Sequence, residues 1–198
     1  MSTESLLQSF LMCVVVPVWL LAGLADYFCH RSSAIERTSG TFESLLHLLQ
    51  FALVGIPLLA VLFLEINAVV LLIMLIGLLL HQAAAVWDVR FANATRHVSP
   101  AEQHVHGVLE MAPAIATAVV AILHWPQFLS LFGVGDARFA IEPKHTPLPA
   151  WYLGAVMAGV VLCGVLPYGE ELLRTLRASA TAQSRSRGNG QPRASVRR

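Results

Sequence analysis

Apolar residues run along this chain in long stretches that polar residues interrupt at only a few points. Five stretches stand out, at about 6–28, 44–64, 66–87, 103–124 and 150–169. Each approaches the ~20 mostly apolar residues that a helix needs to cross a hydrocarbon core of ~30 Å. The pattern predicts an all-α fold, a multi-pass transmembrane helical bundle of about five helices over residues 1–173. Residues 174–198 then form a basic tail that lacks an apolar period and is expected to be disordered. The first stretch reads as a helix rather than a cleaved signal, because MSTESLLQSF carries Glu4 and no Lys or Arg.

Composition agrees. The chain of 198 residues is 56% hydrophobic and 13% charged, with a mean hydropathy of +0.65, which excludes an ordinary soluble domain. Cys13, Cys29 and Cys163 show no C-x-x-C spacing, so neither a disulfide framework nor a zinc ribbon is indicated, and only Cys29, beside His30, invites a ligand role.

Charge sets the expected orientation. If five helices alternate direction, 11 of the 13 basic residues fall at the joints 29–42 and 88–101 and in the tail, leaving only Arg138 and Lys144 on the other side. The positive-inside rule then predicts an integral protein of the cell (inner) membrane with its N-terminus outside and its C-terminus cytoplasmic. A basic tail after a transmembrane helix meets anionic lipid headgroups, so membrane lipid is an expected partner and nucleic acid is not. Trp19, Trp87, Trp125 and Trp151 mostly fall near the predicted membrane edges, as interfacial anchors do. Gly154, Ala155, Ala158, Gly159 and Gly164 suit close helix packing, which makes a homodimer a further expectation.

The polar residues inside the stretches are ordered. Asp26 and His30 are four apart at the end of the first helix, and Glu43 and His47 four apart at the start of the second. His81 and Asp88 are seven apart in the third, and Glu102, His106 and Glu110 follow at steps of four in the fourth. Such spacings place groups on one helical face, so four helices each offer a stripe of ligand-type side chains toward the same membrane side. A faint duplication relates Asp26, Glu43 and His47 to Asp88, Glu102 and His106, and predicts two hairpins facing each other about a pseudo-twofold axis.

Some of these residues have a plainer explanation. Ser99-Pro100-Ala101-Glu102 reads as a capping box, Asp26 and Asp88 as interfacial acids, and His97 and His104 as residues facing water or headgroups. Glu110, two turns further in, has no cap to make, and an ionised carboxylate there costs several kcal/mol unless paired. The apolar stretches contain no Lys or Arg to pair it. Two divalent cations balance the count, with Asp26, His30, Glu43, His47, His81, Asp88, Glu102, His106 and Glu110 as ligands in a four-helix metal-binding core. Glu43 or Glu110 is the expected bridging and catalytic acid. A ligand set poor in sulfur favours iron, with zinc and manganese as alternatives and haem behind them.

At these residues the chain resembles the membrane di-iron oxygenases, hydroxylases and desaturases, whose histidine-rich motifs at the cytoplasmic ends of transmembrane helices bind two irons. It is also similar to carboxylate-bridged di-iron bundles, in which Glu and Glu-x-x-His come from four helices. The likeness covers Asp26 to Glu110; H-x-x-H-H boxes are absent, and Glu43-x-x-x-His47 and Glu102-x-x-x-His106 have one residue more than the bundle motif. The resemblance implies an oxidoreductase that uses dioxygen on a lipid-like substrate. An external electron donor is then required, since the chain has no flavin or nicotinamide fingerprint. Arg90 and Arg96 are expected to steer an anionic headgroup or that donor. The alternatives are a zinc-dependent membrane hydrolase, a proton or metal-ion transporter, and a haem-binding membrane protein.

Overall fold

The computed structural model describes residues 1–189. Its regular elements among the described residues are all helices, five of them long and apolar enough to cross a membrane: α1 (Thr3–Ser32), α2 (Gly40–Phe63), α3 (Ala68–Thr95), α4 (Pro100–Leu123) and, after a short α5 (Trp125–Ser130), α6, which starts at Ala150. Large apolar side chains such as Leu21, Leu79 and Leu162 are exposed, whereas Asp26, His30, Glu43, His47, Asp88 and Glu102 are buried. That inversion of the soluble pattern is what lipid requires, because ionisable groups must turn away from hydrocarbon.

The helices form a closed ring in which α1 packs on α4, α4 on α3, α3 on α2, and α6 on both α2 and α1. The expected four-helix core is therefore a five-helix core. Close approach depends on small residues. A Cβ on Gly77 of α3 would come within 2.6 Å of Pro57 on α2, and one on Gly164 of α6 would overlap the Phe51 ring. Gly159 likewise packs on Leu20 within the chain, while Gly154, Ala155 and Ala158 face outward.

Two helices share a local distortion with one cause. Leu11–Val15 in α1 and Val161–Val165 in α6 are π turns, where the Val16 and Leu166 amides donate to carbonyls five residues back. Pro17 and Pro167 follow immediately; lacking an N–H, each breaks the regular ladder and the turn before it widens.

Two expectations change. Residues 174–189, read as disordered tail, continue α6 as helix to Asn189, and 190–198 lie outside the described residues. Trp19 is no interfacial anchor: it is buried and stacked on Phe51, ring centroids 6.3 Å apart, while Trp87, Trp125 and Trp151 are exposed. The joint 124–149 is pinned to the end of α2 by a bridge between Leu64 and Pro143, with the Lys144 amide donating to the Phe63 carbonyl at 2.9 Å.

Candidate metal centre

Seven of the nine expected ligands converge at the end of the ring where α1 finishes and α2 begins: Asp26, His30, Glu43, His47, Asp88, Glu102 and His106. The i, i+4 steps in α1, α2 and α4 supply the inward stripes, as the sequence predicts. His30 and His47 stack face to face, ring centroids 4.1 Å apart and planes within 7°.

A residue of α6 holds this stack. Glu171, fully buried, accepts from His30 Nδ1 at 3.0 Å and from His47 Nδ1 at 2.8 Å, one carboxylate oxygen for each. A carboxylate only accepts, so both Nδ1 atoms carry the hydrogen and both Nε2 atoms are turned into the cluster, where neutral rings present lone pairs. This is how outer carboxylates orient metal-binding histidines. His30 Nε2 lies 3.4 Å from Asp26 Oδ1 and 3.5 Å from Glu102 Oε1; His47 Nε2 lies 3.4 Å from Asp88 Oδ2 and 3.9 Å from Glu43 Oε1. His106 Nε2 reaches Asp26 Oδ1 at 3.0 Å. Among the described residues no well-aligned hydrogen bond reaches His30 Nε2, His47 Nε2, Asp26 Oδ1 or Asp88 Oδ1, although all four are buried.

Buried imidazole nitrogens and carboxylate oxygens gathered this closely call for positive charge, from protons or from a metal ion. Two overlapping groups have metal-ligand spacing, Asp26 with His30 and His106, and His30 with Glu43 and His47, their donor atoms all within 4.8 Å. The donors are imidazole nitrogen and carboxylate oxygen, and Cys29 belongs to neither group.

Part of the charge is compensated by the protein itself, against the expectation. Arg96, just past the end of α3, does not steer headgroups; its guanidinium is 2% exposed and clamps Glu43 on one side and Glu102 on the other. Its Nε donates to Glu43 Oε1 at 3.0 Å and its Nη1 to Glu102 Oε2 at 3.0 Å. Burial works against its charge, but these bonds prevail and raise its pKa further. Ser99 does cap α4, accepting from the Glu102 amide at 3.2 Å, while the Glu102 carboxylate goes to Arg96 rather than back to the cap. Arg90, His97 and His104 are exposed.

The remaining two expected ligands stand apart. His81 is buried with no well-aligned hydrogen bond to either ring nitrogen among the described residues, and Glu110 is only half-buried. Both line a small cavity of about 40 Å³ beside the cluster, whose walls also include Asp26, His47, Asp88 and His106. Neither belongs to a group with metal spacing among the described residues.

Besides Glu171, the sequence reading missed Gln50, which donates to Asp88 Oδ2 at 3.1 Å, and Tyr168, whose hydroxyl donates to Asp26 Oδ2 at 3.5 Å. Both followed a usable signal. Gln50 extends the stripe of Glu43 and His47, and Tyr168, Glu171 and Thr175 repeat at three and four along one face of α6, all buried. Compared with protein-family models, curated proteins and solved structures, the chain matches none.

Proposed function

We propose that the chain is a membrane-embedded oxidoreductase holding two divalent cations, iron foremost, and acting with dioxygen on a lipid-like substrate. The observation that carries this reading is the Glu171-anchored stack of His30 and His47, with both Nε2 atoms buried, facing carboxylates and without a well-aligned hydrogen bond among the described residues. One imidazole nitrogen serves one ion, so Asp26, His30 and His106 would hold the first, and Glu43, His47 and Asp88 the second. Five buried carboxylates, Asp26, Glu43, Asp88, Glu102 and Glu171, stand against the single guanidinium of Arg96. Four negative charges remain, which two divalent cations cancel with every imidazole neutral. Protons serve less well, because two imidazolium rings stacked at 4.1 Å repel.

Bound iron would supply the dioxygen and electron-transfer chemistry, with electrons from an external donor. The chain's own groups do the rest. Glu171 sets the rotation of two imidazoles, Arg96 holds the Glu43 and Glu102 carboxylates in place, and Glu110 lies on the wall of the small cavity. The basic end of the ring, where the centre sits, faces the cytoplasm of the cell membrane in this reading.

Elemental analysis of protein purified in mild detergent tests it. Two iron atoms per chain, lost in His47→Ala without loss of membrane insertion, is the expected result. Colourless protein with zinc replaces it with a hydrolase, and protein without metal in any expression medium overturns it.

A further inference from the structure

A second, larger cavity of about 460 Å³ occupies the opposite half of the ring. Its volume lies within the ~300–1,000 Å³ of small-molecule sites, and its walls are aliphatic over most of their length. The two ends differ. The inner end is closed by Trp19 and Val54, which also line the small cavity beside the cluster. The outer end carries Gln8, Glu65, His124 and Lys144. Along α4 the cavity runs from Ala112 to His124, which at 1.5 Å per residue is about 18 Å, the length of an extended alkyl chain of roughly fourteen carbons.

Lys144 is the cation at the outer end, and its position is set by its backbone, whose amide donates to the Phe63 carbonyl at 2.9 Å. Its ammonium has no ion pair among the described residues; the nearby Glu65 carboxylate is engaged by the His145 amide at 2.6 Å. Burial pushes the Lys144 ammonium down, against a weaker opposing pull from Glu65. An anionic ligand would relieve that cost.

We infer that this cavity binds a long-chain carboxylate, its head on Lys144 and its terminal carbons against Trp19 and Val54. The opposite orientation places a carboxylate beside a cluster already rich in carboxylates, and an alkyl end beside Lys144. Given the metal centre proposed above, on which this consequence rests, the far end of the chain rather than the carbons beside its head group meets the centre.

The test uses full-length protein in phosphatidylcholine nanodiscs and a myristate analogue carrying a diazirine at its terminal carbon. Crosslinks read by mass spectrometry are expected on Trp19, Val54 and Ala112, competed by unlabelled myristate but not by tetradecanol. Lys144→Ala should reduce labelling at least fivefold and Lys144→Arg should retain it, while Ala116→Trp, which fills the cavity, should abolish it. Labels confined to outward residues such as Leu79 and Trp87, or equal competition by tetradecanol, overturn the inference. Metal content of the same samples separates the two readings. Internal labelling without metal removes only the metal centre, and metal without internal labelling removes only the chain site.

Discussion

Asp26 of α1 approaches His106 of α4 to 3.0 Å across the ring, and Asp88 of α3 repeats the pairing with His47 of α2 at 3.4 Å. Glu43 and Glu102, equivalent residues of the two hairpins, grip the same guanidinium. The contacts thus follow the pseudo-twofold relation expected from the duplication. His30 breaks it, because the matching position four residues after Asp88 is Ala92. Glu171 stands on the side that has the extra imidazole.

Replacing Glu171 by Gln leaves one acceptor oxygen for two imidazole N–H groups and sets an amide NH2 against the other. Outer-shell changes of this kind cost ~10–100-fold in metal affinity. Titration against a chelator should show a loss of that size with helix content unchanged; unchanged affinity contradicts the anchoring role.

Arg96→Leu leaves two buried carboxylates without their cation. Removing one partner of a buried pair costs roughly 3–5 kcal/mol. Thermal unfolding in detergent should show strong destabilisation, and adding Glu43→Gln and Glu102→Gln should restore much of it. A single variant as stable as the parent would mean that the clamp contributes nothing.

Gly164→Val drives a branched side chain into the Phe51 ring. Overpacking costs roughly 1–3 kcal/mol and here displaces α6 from α2, carrying Glu171 with it. Melting temperature and bound metal are expected to fall together. If stability falls and metal stays, the position of α6 does not govern the centre.

At the opposite end, the backbone hydrogen bond from His145 holds the Glu65 carboxyl below its ordinary value of 4.5. A depressed carboxyl stabilises the pinned joint above that value and loses the effect as pH falls through its lower, folded value. Hydrogen exchange at the His145 amide should therefore accelerate in acid beyond its intrinsic pH dependence. In Glu65→Gln that excess should vanish.

Five helices and four inward stripes were legible because spacings of four and seven have one geometric meaning on a helix. The position of Glu110 shows where that reasoning ends. Each step of four advances about 40° around the helix, so Glu110 lies about 80° from Glu102 and leaves the cluster for the cavity wall. Arg96 was misread because it follows a helix end, where no period relates a side chain to its targets. Glu171 was missed because the charged run GEELLR resembles the end of a span. Its burial arises when α6 inserts between α1 and α2, a tertiary event whose local trace is the three-and-four spacing with Tyr168 and Thr175.

The widened turns ahead of Pro17 and Pro167 have a consequence for reading frame. Each takes up one residue more than a regular helical turn, so the side chains downstream, Asp26 and His30 in one case and Tyr168 and Glu171 in the other, keep their angular phase despite the surplus residue. Excising a residue from either turn would let the helix regularise and leave those side chains aimed as before, whereas the same excision elsewhere between turn and centre would swing them out toward the bilayer.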